Sequence, residues 1–244
     1  MNNITNTIIL GDWFDVANQI PSKSIDLIVT DPPQHCGKSF PGEEVEENVY
    51  WENFSKWFFE MYRVLKDTGA LYMCFNHLRM WKAYEILSGL DKKYWHFKNL
   101  IIWHQPNIAR RSWSSKRWEY SYQPVFFFAK ENFDINVKEK AKDNNIEQID
   151  VWKITACQTN YKNLDIKTVY DTQKPVELFY RMIISSSNEG DLVLDPFVGS
   201  GSSIIAAIRS KRNYIGVDIS EKAIEITNQR ITLELNNGKT KYNI

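Results

Sequence analysis

The stretch Leu192-Val193-Leu194-Asp195-Pro196-Phe197-Val198-Gly199-Ser200-Gly201-Ser202-Ser203 decides how this 244-residue sequence is read. Three apolar residues end in an acid, and a Gly/Ser turn leads into Ile204-Ile205-Ala206-Ala207-Ile208. The pattern predicts a short buried strand, a tight turn and a helix, with Ser202 or Ser203 as the helix cap. Such a unit opens a crevice at the carboxyl edge of a parallel sheet, where open α/β folds bind ligands. Gly199 and Gly201 permit close backbone approach, and the helix N-terminus offers unpaired N–H groups to an anionic group. Downstream, Asn213-Tyr214-Ile215-Gly216-Val217-Asp218 reads as the next strand. Its terminal acid, Asp218, stands at about the spacing where a carboxylate meets ribose hydroxyls in nucleotide-binding βαβ units. A full dinucleotide fingerprint is absent, because Ile204 takes the place of the third glycine of G-x-G-x-x-G. A plain strand–turn–helix without a ligand has no evident use for Asp195 at the turn. The stretch reads as a nucleoside site.

Outward from that unit, composition sets the limits. The chain is long enough to bury a substantial core, most simply as one α/β domain with insertions. Thirty Lys and Arg balance thirty Asp and Glu, so any nucleic-acid surface has to be local. Cys36, Cys74 and Cys157 are odd in number, widely spaced and without a C-x-x-C pair, the pattern of free thiols in a reducing cytosol. His35, His77, His96 and His104 form no metal-ligand cluster, so no zinc site is expected. No apolar run approaches membrane-spanning length, and the N-terminus lacks a basic region followed by an apolar core.

From the N-terminus, Thr7–Leu10 predicts a strand, and a helix follows from about Trp13 to Gln19. Ile25–Thr30 is a β-branched strand, stopped at Asp31-Pro32-Pro33-Gln34 because neither proline can donate to a ladder. A loop rich in glycine and acids runs from His35 to about Asn48. Tyr50 to Lys66 has helical spacing, with Phe54, Trp57, Phe58, Met61, Tyr62 and Leu65 as a core-facing stripe. Asp67-Thr68-Gly69 closes that helix, and Ala70–Phe75 is a strand. A helix around Met80–Leu87 and strands at Lys98–Trp103 and Tyr122–Ala129 follow. Glu131–Asn145 is a polar excursion, Val151–Ile154 a short apolar return, and Val176–Ser187 a helix begun by Pro175. Ser220 caps a last amphipathic helix to about Leu235.

Two acids therefore stand at strand ends. If both strands lie in one parallel sheet, Asp31 and Asp195 share its carboxyl edge, and a cofactor and a substrate can meet there. Asp31 and the Pro32 carbonyl offer two acceptors on a rigid turn, which suits an exocyclic amine with two N–H donors. Holding both hydrogens frees the nitrogen lone pair for attack. Between the strands, Gln105 to Trp118 interleaves Arg110, Arg111, Lys116 and Arg117 with Trp113 and Trp118, without helical or strand periodicity. Such a loop either grips phosphates and stacks on a base or is simply solvated.

At this point the sequence resembles the amino-methylating DNA methyltransferases that act on adenine N6 or cytosine N4, in the motif order called β. The matches are Ser24–Pro33, Arg63-Val64-Leu65-Lys66, Gly69-Ala70-Leu71-Tyr72, Thr172–Leu178 and Asp195–Ser202, in the family's order along nearly the whole chain. The resemblance implies a Rossmann-like, doubly wound, mostly parallel sheet in a single domain over residues 1–244. It also implies a target-recognition insertion at about 105–168. The implied cofactor is S-adenosylmethionine, with Asp195, Pro196, Phe197, Gly199, Ser200, Gly201 and Ser202 around its methionine part. Asp218 would take its ribose hydroxyls, Lys174 its carboxylate, and Asp12 its adenine edge. The implied catalytic group is Asp31, Pro32, Pro33 and Gln34, holding the amine of a flipped base. Asp at position 31 favours adenine N6; cytosine N4, an RNA adenine substrate, and an inactive nucleic-acid-binding relative are the alternatives. Arg110, Arg111, Trp113, Lys116 and Arg117 would touch DNA, and the location would be cytoplasmic. A homodimer and a restriction-endonuclease partner are compatible with the family.

Two positions depart from the family pattern. Gln34 stands where an aromatic ring normally stacks on the flipped base, a contact worth about 1–3 kcal/mol. Phe40, Trp113 and Trp118 are the replacement rings the sequence suggests; otherwise the substrate is easily extruded or activity is weak. Tyr170-Asp171 replaces a His-Pro common before the Gln-Lys-Pro segment, altering the start of the helix.

Overall fold

A computed structural model describes residues 4–36, 45–89, 95–108, 118, 120–159, 163, 167, 170 and 173–236. Phe40, Arg110, Arg111, Trp113, Lys116 and Arg117 lie outside the described residues. The elements in chain order are β1 (Thr7–Leu10), α1 (Trp13–Ala17), β2 (Ile25–Thr30), α2 (Glu47–Val64) and β3 (Leu65–Cys74). Then come α3 (Met80–Gly89), β4 (His96–His104), β5 (Tyr122–Ala129), α4 (Val137–Asp143) and β6 (Val151–Lys153). The chain finishes with α5 (Val176–Ser186), β7 (Leu192–Asp195), α6 (Ser202–Arg209), β8 (Asn213–Asp218) and α7 (Glu221–Asn236).

Among the described residues the strands form one sheet in the order β1-β8-β7-β2-β3-β5-β4-β6. Only β5 runs antiparallel, against both β3 and β4; every other pairing is parallel. Parallel pairing demands helical crossovers, which cover both faces and make the strands apolar on both sides. The alternation of side chains along each strand divides them between two cores. Ile28, Leu71, Met73 and Leu194 pack with Trp13, Phe54, Phe58 and Met61 of α1 and α2. Leu27, Val29, Tyr72 and Val193 pack with Leu178, Met182, Ile204 and Ile205 of α5 and α6. The sheet is doubly wound, as expected.

Several boundaries differ from the sequence reading. α1 stops at Ala17, two residues short of Gln19. α2 ends at Val64, and Leu65 already pairs with Ile25 of β2. Asp67–Gly69 therefore closes no helix; it sits in a register break, since Leu27 next pairs with Ala70. Gly69 permits the close approach of the chains there, since an added Cβ would meet Leu65 Cδ2 at 2.7 Å and the carbonyl oxygen of Asp26 at 3.1 Å. The polar excursion after β5 contains α4, whose Ala141 packs with Ile146 against Ile184 of α5.

The strand order places the switch of direction between β7 and β2. From β7 the chain moves through α6 to β8 on one side; from β2 it moves through α2 to β3 on the other. A crevice outside the carboxyl ends of strands at such a point is where open α/β sheets hold ligands.

Candidate functional site

Two pieces of chain, 165 positions apart in sequence, are pinned at that point by Asp195. The carboxyl end of β7 brings its side chain beside Thr30, the last residue of β2. Thr30 Oγ1 donates to Asp195 Oδ1 at 2.8 Å, and the Phe197 N–H donates to the same oxygen at 3.1 Å. Ser203 Oγ donates to Oδ2 at 2.5 Å. Asp195 is only 2 % exposed, and burial pushes its carboxyl up to about 7 against the Ser203, Phe197 and Thr30 hydrogen bonds. It ties β2, β7 and the first turn of α6 together.

The expected serine cap does not form. Gly201, at φ +78°, is the N-cap of α6, and no side chain caps it. Ser202 and Ser203 are the first helical residues instead, and Ser203 spends its hydroxyl on Asp195. The left-handed conformation at Gly201 turns the chain so sharply that neither serine occupies the extended position a capping hydroxyl requires. The turn is braced from behind by α7. Thr227 Oγ1 donates to the Gly199 carbonyl at 3.1 Å, and Arg230 Nη1 donates to the Ser200 carbonyl at 2.6 Å and to Ser202 Oγ at 3.1 Å. Asp218 closes the other side: Oδ2 accepts the Gly199 N–H at 2.8 Å and Oδ1 the Ser220 N–H at 2.9 Å. Burial raises the Asp218 carboxyl above the ordinary range, opposed by those backbone donors. The expected capping of the last helix by Ser220 is also present, at 3.3 Å to the Ala223 N–H.

At the end of β2, Asp31 uses both carboxylate oxygens. Gln34 Nε2 donates to Oδ1, and Lys174 Nζ forms an ion pair with Oδ2. Burial pulls the Lys174 ammonium down, but the charge and hydrogen bond of Asp31 together with the nearby Cys74 and Cys157 hold the group above its ordinary value. Gln34 thus works as a polar brace on Asp31. The double-proline turn has a second brace that the sequence did not reveal. Tyr50 of α2, fully buried, donates its hydroxyl to the Pro33 carbonyl at 2.7 Å and stacks on His35 with centroids 5.0 Å apart.

These parts open into one cavity of about 510 Å³, a size typical of small-molecule sites. Its wall includes Asp12, Asp31, Pro32, Pro33, Gln34, Lys174, Asp195, Pro196, Phe197, Gly199, Ser200, Ser202 and Asp218. Among the predicted site residues that the structure describes, Gly201 alone is not on that wall; it shapes the turn from behind. Asp12 accepts the Phe14 N–H at 2.8 Å as the cap of α1. Phe197 packs edge-on against Trp57, with centroids 4.9 Å apart. Of the suggested replacement rings, Trp118 is 96 % exposed and does not line the cavity. The rings that do include His77, Tyr120 and Tyr122, at the ends of β3 and β5. Nothing in the sequence flagged them, because their position depends on the antiparallel insertion of β5.

The arrangement has two halves. The ends of β1, β8 and β7 supply the carboxylates of Asp12 and Asp218 as acceptors beside a glycine turn, which fits a nucleoside with free hydroxyls. A Cβ at Gly199 would meet only the Tyr170 ring, at 3.7 Å, so the turn stays open on its cavity side. The ends of β3, β5 and β4 supply aromatic and amide side chains. Asp31 stands between the two halves.

Comparison with known proteins agrees with this geometry. The chain is 30 % identical over 253 residues to the type II methyltransferase M.HinfI of Haemophilus influenzae, covering 95 % of this chain and 69 % of that protein. It is 30 % identical over 258 residues to the DNA adenine methyltransferase YhdJ of Escherichia coli K12, covering 94 % and 83 %. The crystal structure of an M1.HpyAVI–SAM complex superposes with a TM-score of 0.71 at 20 % identity, over 92 % of this chain and 98 % of that one. A family model described as DNA methylase, of the N6/N4 class, matches residues 25–229. That span contains β2 through most of α7, with both Asp31 and the Gly199–Gly201 turn: the chain belongs to the DNA methylase family.

Proposed function

We propose that this protein transfers a methyl group from S-adenosylmethionine to the exocyclic amine of a base extruded from double-stranded DNA, adenine N6 in the first instance. One observation carries the reading: Asp31 and the Gly199–Gly201 turn, on neighbouring strands, open into the same cavity. When bound, the cofactor supplies an electrophilic methyl group on a sulfonium sulfur. Asp218 and Asp12 would hold its hydroxyl and adenine ends, with the backbone from Phe197 to Ser202 around its amino-acid end. Lys174 lies closer to the chemistry than the sequence suggested: its ammonium pairs with Asp31, and the same charge would attract a cofactor carboxylate from across the cavity.

On the substrate side, Asp31 retains acceptor capacity beyond Gln34 and Lys174, because a carboxylate offers about four lone-pair sites. Asp31 and the Pro32 carbonyl would each take one N–H of the target amine. This turns the nitrogen lone pair toward the methyl carbon; a C–N bond forms as the C–S bond breaks, and the bonding pair leaves on sulfur. The amine then sheds one proton toward Asp31 or water. The contribution is orientation and charge placement rather than prior deprotonation.

In the same reading, residues from about 105 to 168 recognise the target sequence, with Arg110, Arg111, Trp113, Lys116 and Arg117 on the DNA. The reading places the enzyme in the cytoplasm and is compatible with a restriction-endonuclease partner and with a homodimer, which light scattering checks. The deciding experiment is mass spectrometry of nucleosides from unmethylated DNA incubated with protein and S-adenosylmethionine. N6-methyladenine is expected. N4-methylcytosine would move the assignment to the other amine, and no methylated nucleoside from DNA would end it.

A further inference from the structure

We propose that Gln105 reads the extruded base, its side-chain amide donating to the ring nitrogen beside the target amine: N1 of adenine or N3 of cytosine. The inference rests on the DNA methyltransferase reading and adds which base atom is recognised and by which residue.

Gln105 follows the last residue of β4 and is 7 % exposed. Its backbone is fully used: the N–H donates to the Ser121 carbonyl at 2.7 Å, and the carbonyl accepts from the Ile108 N–H at 3.3 Å. Its side-chain amide makes no hydrogen bond among the described residues, and neither amide atom is sealed from solvent. Yet Gln105 lines the cavity that Asp31 lines. With most of the residue covered and the cavity on its open side, the amide is left to the solvent of the cavity, where a base can replace water as its partner.

The support around it is stiff, as a recognition group requires. Trp103, two residues earlier, donates its indole N–H to the Ile154 carbonyl at 2.9 Å. Asn107, two residues later, grips Ala156 through both its amide oxygen, at 2.7 Å, and its amide nitrogen, at 2.8 Å. Gln105 is therefore held between two anchored positions. Nearby, the rings of His77 and Tyr120, with centroids 3.9 Å apart, add an aromatic wall to the same cavity.

Charge pattern then selects the ligand. Asp31 presents an acceptor for an amine N–H, and Gln105 a donor for an adjacent lone pair. Adenine and cytosine carry that pair of groups on their Watson–Crick edges, the edge by which flipped bases are read. Guanine and thymine carry the reverse, a carbonyl beside a ring N–H. Asp31, an acceptor only, turns away the carbonyl of the other two bases, and Gln105 adds the donor that meets the adjacent lone pair, leaving adenine and cytosine to be separated by size.

The test uses the full-length protein and duplexes carrying its site, identified by modification-sensitive sequencing. The target position holds adenine, 1-deazaadenine, in which N1 is replaced by C–H, or an abasic sugar. Gln105→Met should lower kcat/KM on the adenine duplex roughly ten- to hundred-fold. Cofactor affinity by calorimetry, thermal midpoint and affinity for the abasic duplex should match the parent. On 1-deazaadenine the parent should fall toward the variant, whereas the variant should lose little more; the cycle cancels any intrinsic effect of the analogue on the amine. Should Gln105→Met fold poorly, Gln105→Glu keeps the shape and removes the donor, and should give the same non-additivity. For a cytosine target, 3-deazacytosine replaces the adenine analogue. Additive losses, or a variant equal to the parent on adenine, would overturn the role of Gln105 while the methyltransferase reading stood. A parent that methylates no DNA would remove the reading and this inference together.

Discussion

Asp195 shows at the residue scale how a sequence signal can be right for a reason other than the expected one. The acid before the glycine turn marks the site, but its carboxylate is spent inside the protein, on Thr30, Ser203 and the Phe197 N–H. Its folded value of about 7 lies above the ordinary 3.8 because burial disfavours the charge. Between those values the folded state keeps a proton that the unfolded state has released, so stability falls as pH rises through this window. The full penalty, on the order of a few kcal/mol, is present above about pH 7 and is relieved toward pH 4. Asp195→Asn should remove that slope, since the amide oxygen still accepts from Thr30 and Phe197, and Ser203 can accept from the amide nitrogen. Urea denaturation at pH 5, 6.5 and 8 checks it: the difference in stability, variant minus parent, should grow with pH. A pH-independent difference would contradict the burial account. Asp31 was equally legible, because an acid and two prolines at a strand end are local features. Its partner Lys174 was not, since nothing local shows that residue 174 folds back onto residue 31.

At the element scale, period-2 and period-3.6 patterns located β1, β2, β5, β8 and the core face of α2, because burial on one side writes itself into neighbouring positions. Those patterns do not say which helix backs which turn. α7 reads as a generic amphipathic helix, yet it places Thr227 and Arg230, three apart and so on one face, against the glycine turn. The tightness of that contact yields a prediction. A Cβ on Gly201 would come within 2.8 Å of Thr227 Oγ1 and Cγ2, in a backbone conformation at φ +78° that side chains rarely adopt. Gly201→Ala should therefore cost about 1–3 kcal/mol in unfolding free energy. It should also weaken cofactor binding, because relief of the clash moves either α7 or the turn. Calorimetric titration with S-adenosylhomocysteine measures the second effect; a variant with parental stability and affinity would show that α7 does not set the turn. The helix cap was misread for a related reason. Serines at a helix start suggest a cap locally, but the left-handed Gly201 and the buried Asp195 reassign them.

At the scale of the whole molecule, strand order was the least legible feature and the most consequential. The sequence shows acids at the ends of the strands before Pro32 and before Pro196; only the order β8-β7-β2-β3 makes those strands neighbours across a switch point. That order also predicts separable phenotypes. Asp218 ends β8 in the half attributed to the cofactor, and Asp31 follows the last residue of β2, facing the half attributed to the base. Asp31→Asn keeps an acceptor for Gln34 but removes the charge opposite the buried Lys174 ammonium, at some cost in stability. It should lower kcat by about 10²-fold or more, with cofactor affinity changed only a few-fold, because the lost interaction acts on the reacting amine. Asp218→Asn keeps an oxygen for one of the two backbone donors at Gly199 and Ser220 and loses a charged acceptor for hydroxyls. It should raise the KM for S-adenosylmethionine about tenfold or more and return most of kcat at saturation, the mark of lost uniform binding. The opposite assignment, with Asp31→Asn moving KM and Asp218→Asn moving kcat, would mean that the two halves of the cavity have been given to the wrong ligands. Steady-state kinetics on the two variants with one DNA substrate decides between these arrangements, because each strand end is then tested against the ligand its position in the sheet selects.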